Sequence, residues 1–295
     1  MASLPPAPFG RLLTAMVTPF TADGEVDYSG ASALATHLVE QGNEGLVISG
    51  TTGESATTTD GEKERLLGAV LDAVGDRAHV LAGVGTNSTR HTIELAHAAE
   101  KAGAHGLLVV TPYYNKPPQA GLLYHYRLVA EATGLPIMLY DIPGRTGMAL
   151  ETDTIVRLAE HPRIVAVKDA KGDLPATSWV RARCDIAVYA GDDAATLPLL
   201  SLGAVGVVGV TSHVASHEMK SMIEAFNRGD VDEARKMHLR LLPAYTGLFR
   251  TQGVILAKAA LALRGLPAGP VRPPLVDATP DQIARLKDDL AAAGL

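Results

Sequence analysis

Along the chain, short near-continuous apolar runs alternate with longer segments whose apolar residues recur at helical spacing. The runs occupy residues 12–17, 45–49, 79–84, 106–110, 136–140, 163–168, 186–190 and 206–210. Short runs this rich in Val, Ile and Leu suit parallel strands covered on both faces. Between them the spacing predicts helices over residues 28–41, 62–74, 89–102, 119–132, 152–160, 174–183 and 193–202. Gly42, Gly103 and Gly134 read as helix stops, and Thr152 and Asp153 as cap residues. Successive runs lie about thirty residues apart, the size of one strand–helix unit. Eight such units in series are the pattern of an α/β fold of the (β/α)8 TIM-barrel type. A doubly wound sheet is the competing fold, but it normally has fewer strands and no need to close.

After the eighth run the pattern changes. Residues 217–228, 231–248 and 254–263 read as helices. Residues 267–274, with four prolines and a glycine, break structure. Thr279 then caps a last helix that opens with Pro280 and runs to about Ala293. The expected organisation is a short loose N-terminal tail over 1–10, a barrel over 11–230 and a C-terminal helical extension over 231–295.

Composition narrows the function classes. Of 295 residues, 47% are hydrophobic and 20% charged, an ordinary globular balance. The net charge of −6 gives no global electrostatic reason to bind nucleic acid or acidic membranes. No run reaches the roughly 18 apolar residues of a membrane span, and the N-terminus lacks the basic-then-apolar order of a signal peptide. Cys184 is the only cysteine, which excludes an internal disulfide framework and a cysteine-based zinc site and fits a reducing cytoplasm. His213 and His217 are four apart, yet a pair without a third ligand is a weak metal signal. Trp179 and the four phenylalanines read as packing residues.

In a barrel the chemistry sits where strands hand over to the loops that follow them. Lys168 ends the sixth run. Strand alternation places it on the face of Ala166 and Ile164, which in a barrel can be the interior. Burial disfavours the ammonium, and a neutral amine can attack a carbonyl to form a Schiff base; a solvated strand-end lysine is the ordinary alternative. Tyr140 ends the fifth run and could carry a proton through another hydroxyl such as Thr51, Thr52 or Tyr114. Arg145, in a Pro-Gly-Arg-Thr-Gly loop, suits bidentate carboxylate binding or a surface ion pair. Gly50-Thr-Thr-Gly53 offers backbone N–H groups to an anion, but no Gly-Lys-Ser/Thr follows as in a phosphate loop.

Together, Gly50-Thr-Thr-Gly-Glu-Ser55, Thr111-Pro-Tyr-Tyr-Asn115, Leu139-Tyr-Asp-Ile-Pro-Gly-Arg145 and Val167-Lys168 resemble the dihydrodipicolinate synthases of the N-acetylneuraminate lyase superfamily, most closely the actinobacterial branch. The resemblance spans nearly the whole chain and implies class I aldolase chemistry. Lys168 would form an imine with pyruvate, which then attacks L-aspartate 4-semialdehyde. Tyr140 would carry protons through Thr51 to Tyr114, the last reaching in from a neighbouring subunit. Thr51 and Thr52 would hold the pyruvate carboxylate and Arg145 that of the semialdehyde, with Gly191 and Val208 lining the pocket. The resemblance implies no metal or organic cofactor and a cytoplasmic homotetramer arranged as a dimer of dimers. Arg145 favours this reading over neuraminate lyases, which usually lack an arginine there. Another pyruvate-dependent aldolase and a non-catalytic paralogue on the same barrel are the alternatives.

Two departures from the family pattern stand out. Ser55, Ala56, Asn87 and Tyr113 match the site where many relatives bind inhibitory L-lysine. His91, however, replaces the glutamate that receives the lysine amino group, and Asp60 and Lys63 replace histidines. Lys63 would repel a cationic ligand, so weak or absent lysine feedback is expected. The second departure is Lys168-Asp169-Ala170-Lys171, where many members have Lys-Glu-Ala-Thr.

Overall fold

Alternating side chains along each apolar run have two different layers to fill. The computed structural model, which describes residues 6–295, shows how they divide. Strands β1 (Leu12–Ala15), β2 (Gly45–Ile48), β3 (His79–Gly83), β4 (Gly106–Val110), β5 (Ile137–Asp141), β6 (Ile164–Asp169), β7 (Ala187–Ala190) and β8 (Gly206–Gly209) form a closed barrel in chain order. All pairs are parallel, including the β8–β1 pair that closes it. Leu13, Val47, Leu81, Leu108, Met138 and Val208 point inward and pack together. Their neighbours Leu12, Leu46, Val80, Leu107, Ile137 and Val207 point outward into a second layer beneath the helices. Burying each Leu, Ile or Val contributes about 1.5–3 kcal/mol.

The helices are α1 (Tyr28–Glu40), α2 (Asp60–Val74), α3 (Thr89–Ala102), α4 (Gln119–Ala132), α5 (Pro143–Thr146), α6 (Thr152–Ala159), α7 (Leu174–Arg183), α8 (Thr196–Ser201) and α9 (Ser212–Asn227). Then come α10 (Val231–Gly247), α11 (Gly253–Leu263) and α12 (Pro280–Ala292). Val214, Leu248, Leu256, Leu286 and Leu290 give these last helices a small core of their own. The fold is therefore the expected TIM barrel with C-terminal helices added.

Several local expectations are corrected. The loose tail is partly structured: Phe9 is buried among the inward-facing side chains, its N–H donating to the Tyr189 hydroxyl. That hydroxyl in turn donates to Gly10 O at 2.9 Å. Residues 1–5 lie outside the described residues. Ile164 does not share a face with Lys168. The β5–β6 register shifts after Ile137↔Ile164 and resumes at Met138↔Ala166, leaving Val165 as an extra residue. This bulge turns Ile164 outward while Ala166 faces the interior.

The α6 cap is Glu151, without a side-chain cap bond, rather than Thr152 or Asp153. Gly103 is the left-handed stop of α3, but α4 ends at an extended Thr133 before Gly134. The segment before α8 starts as a 3-10 turn, and α9 begins at Ser212 with a break at Ala215. Trp179 and Phe249 are exposed rather than packed. Among the described residues no helix is long and apolar enough to cross a membrane.

Candidate active site

The bulge in β6 aims Lys168 at Tyr140. The two residues are partners across the β5–β6 ladder, and Lys168 Nζ lies 4.3 Å from the centre of the Tyr140 ring. Lys168 is 4% exposed. Burial pushes its amine down to about 8, opposed by the carboxylate of Asp193 and reinforced by the Arg145 charge. Burial raises the Tyr140 phenol to about 12, against the opposing pull of Arg145 and a hydrogen bond with Thr51. Near neutral pH the site thus holds a lysine that is still mainly protonated but releases its proton far more readily than an ordinary lysine, with a protonated phenol beside it.

A cavity of about 370 Å³ opens against Tyr140. Its walls include Gly50, Thr51, Tyr113, Tyr140 and Arg145. Lys168, Thr52, Gly191 and Val208 are not wall residues. Val208 packs inside the barrel with Ala166 and Tyr189. Gly191 crosses so close to β6 that a Cβ there would meet Ala170 Cβ at 2.8 Å, so no other residue fits without a shift. Tyr114 is 90% exposed, with a left-handed φ of 74°, and does not enter the cavity of its own chain. Gly83 makes a similar close approach to the Gly50–Gly53 loop: a Cβ would sit 2.5 Å from Ser49 O and 3.0 Å from Gly50 N.

Several contributors escaped the sequence reading. Asp193 is fully buried and accepts from Val210 N, Thr211 N and Thr211 Oγ1. Burial raises its pKa against the pull of these hydrogen bonds, and as a carboxylate it opposes the lowering of Lys168. Gln252, Pro274 and Leu275, all from the C-terminal region, complete the cavity wall. The same region grips the Gly50–Ser55 loop through Glu54, which pairs with Lys258 Nζ at 2.6 Å and accepts Arg272 N at 2.8 Å. The Arg272 guanidinium binds Glu62, holding that carboxyl down at about 2. A Pro-rich run signals a loop but not which residues it faces.

The metal reading of His213 and His217 finds no support. His213 Nδ1 donates to Val210 O and Nε2 accepts from Val17 N, so both ring nitrogens are engaged. Burial also pushes the ring down to about 4.

Residues 8–293 match the Dihydrodipicolinate synthetase family. The chain belongs to that family. It is 75% identical over 292 residues to the 4-hydroxy-tetrahydrodipicolinate synthase of Acidothermus cellulolyticus, covering 99% of this chain and 95% of that one. It is 63% identical to 4-hydroxy-tetrahydrodipicolinate synthase 2 of Streptomyces coelicolor, covering 99% and 98%. A crystal structure of DHDPS from Cyanidioschyzon merolae with lysine bound superposes with a TM-score of 0.96 at 47% identity, covering 98% of this chain and all (100%) of that one.

His91, Asp60 and Lys63, where the sequence departs from the expected pattern, form a charge network of their own. His91 Nε2 and Asp60 Oδ2 are 2.9 Å apart. Lys63 Nζ lies 3.6 Å from Asp60 and donates to Thr58 O at 2.6 Å. The Asp60 carboxylate is already shared between two neighbours, and its pKa is lowered, chiefly by the His91 hydrogen bond.

Proposed function

We infer that this chain is a 4-hydroxy-tetrahydrodipicolinate synthase, a lyase that condenses pyruvate with L-aspartate 4-semialdehyde in diaminopimelate and lysine biosynthesis. The observation that carries the reading is the buried Lys168 amine, lowered to about 8, in ladder register with Tyr140, which lines a cavity shared with Arg145. The close relatives named above support the substrate pair.

The neutral amine adds to the pyruvate ketone and water leaves, giving a protonated imine. The imine draws electrons from the neighbouring methyl carbon, which loses a proton and becomes an enamine. That carbon attacks the aldehyde of the second substrate. The amine of the semialdehyde then closes onto the former ketone carbon and displaces Lys168, which regenerates the free lysine. Lysine itself supplies the electron sink, so this chemistry calls for no metal or organic cofactor.

Tyr140 carries protons to and from the reacting centre through Thr51, and Tyr114 of a second copy completes the relay. Thr51 and Thr52 hold the pyruvate carboxylate with the backbone N–H groups of their loop. Arg145 binds the semialdehyde carboxylate; Gly191 and Val208 shape the barrel around the imine. The working form is a homotetramer in the cytoplasm, organised per chain as a barrel over 11–230 and an extension over 231–295.

The direct test supplies both substrates with dihydrodipicolinate reductase and NADPH and follows absorbance. Oxidation that requires the wild-type chain and vanishes with Lys168→Ala is expected. A folded chain that forms the pyruvate imine but turns over only other aldehydes would instead be a different pyruvate aldolase.

A further inference from the structure

Lys171 has no part in the steps above, yet it is anchored behind the reactive pair. Its Nζ lies 3.1 Å from Asp141 Oδ2, with the two side chains only 10% and 1% exposed. The same ammonium donates to Leu150 O at 3.3 Å, and Asp141 Oδ1 accepts Leu150 N at 3.0 Å. Both backbone groups of Leu150 are therefore held by this one ion pair. Asp141 directly follows Tyr140, and residues 142–149 form the loop that carries Arg145. The loop leaves the barrel at Asp141 and is tied back to the same carboxylate at Leu150.

Inside the loop the bonding is local. Arg145 N and Thr146 N donate to Ile142 O, and the Thr146 hydroxyl donates to Met148 O. The loop is thus a small unit whose placement depends on its ends. Gln119 gives further support from α4, through Ala149 O and Glu151 N. Asp169 faces Asp141 across the ladder and accepts Lys171 N at 2.9 Å and Thr177 Oγ1 at 2.5 Å. Two carboxylates thus end neighbouring strands, one paired with the Lys171 ammonium and the other with the Lys171 backbone N–H. Removing that ammonium leaves Asp141 buried and uncompensated, the condition that makes a broken buried pair costly. Lys168 and Tyr140, by contrast, are fixed by the strand ladder itself.

Building on the functional reading above, we propose that Lys171 is a positioning residue for the second substrate. Through Asp141 and Leu150 it sets the loop that presents Arg145 to the semialdehyde carboxylate, while the imine step with pyruvate does not depend on it.

The test compares the intact wild-type enzyme with Lys171→Met, Lys171→Arg and the double variant Asp141→Asn/Lys171→Met. Readouts are borohydride-trapped pyruvate imine, KM for each substrate, and melting temperature as a control for folding. Lys171→Met is expected to raise the semialdehyde KM about tenfold while pyruvate KM and imine yield stay within about twofold. Lys171→Arg keeps the charge and should recover most of the loss, whereas the double variant removes the stranded anion but also the tie to Leu150 O, so it should fold and keep the raised semialdehyde KM. Wild-type KM values in folded Lys171→Met, or a parallel loss for both substrates, would overturn the proposal. If Lys171→Met does not fold, a folded double variant with a semialdehyde KM about tenfold higher and an unchanged imine yield supports it, and one with a near-wild-type semialdehyde KM overturns it. Absence of a pyruvate imine in the wild type would mean that the functional reading itself has failed.

Discussion

Lys168 and Tyr114 are assigned to one reaction but live in opposite environments. Lys168 is 4% exposed and held in a strand ladder; Tyr114 is 90% exposed on a loop, in a backbone conformation that non-glycine residues rarely adopt. The barrel interior supplies what the imine needs, a dry place that disfavours the ammonium. A phenol open to water has no such tuning, and its use depends on something arriving to cover it. One chain thus holds a finished nucleophile and an unfinished proton relay, and the proposed second copy supplies the missing half.

The largest effect should come from the dry side. Lys168→Ala is expected to lower kcat by on the order of 10⁴-fold or more in the reductase-coupled assay, because no imine can form. Tyr140→Phe and Tyr114→Phe should each cost roughly 10²- to 10⁴-fold, the range of a lost proton carrier. The two tyrosine variants sharpen the comparison when mixed with Lys168→Ala. If Tyr114 serves a neighbour's site, co-refolding the Tyr114→Phe and Lys168→Ala chains restores about a quarter of wild-type activity, since half of random pairs then hold one intact site. The Tyr140→Phe and Lys168→Ala mixture restores none, because both residues serve the site of their own chain and every site keeps one defect. Equal recovery, or none in either mixture, would erase the distinction between the regions.

Acidity gives a smaller, graded effect. The neutral amine is the attacking form, so the rate of imine formation should rise with pH through about 8 and level above it, following the lowered Lys168 value. A profile still climbing at pH 10 would mean that the lysine is not desolvated in solution. The smallest effect expected is that of free L-lysine. With Asp60 already engaged by His91 and Lys63, millimolar L-lysine should change the rate by less than about twofold. Strong inhibition at micromolar concentrations would contradict that reading.

The same division explains what the sequence could reveal. Strands covered on both faces leave continuous apolar runs, so eight of them and their order were legible from residue types alone. The bulge at Val165 left no such mark, because an extra residue in one strand is defined only by its partner. Arg145, Lys168 and Tyr140 stood out because chemistry-bearing residues at strand ends are few. Lys258 and Arg272 did not, since their partners Glu54 and Glu62 lie some 200 residues earlier in the chain. Phe9 was hidden for the same reason: a plug reads as a tail until its socket is seen.

The central claim is that Lys168, and no other lysine, forms the imine with pyruvate. It is tested most directly by reducing the enzyme with borohydride in the presence of pyruvate and mapping the modified peptide by mass spectrometry. One reduced pyruvate per chain, on Lys168 and absent when pyruvate is omitted, is the predicted result. An unmodified chain, or a label on another lysine such as Lys171, would contradict the account.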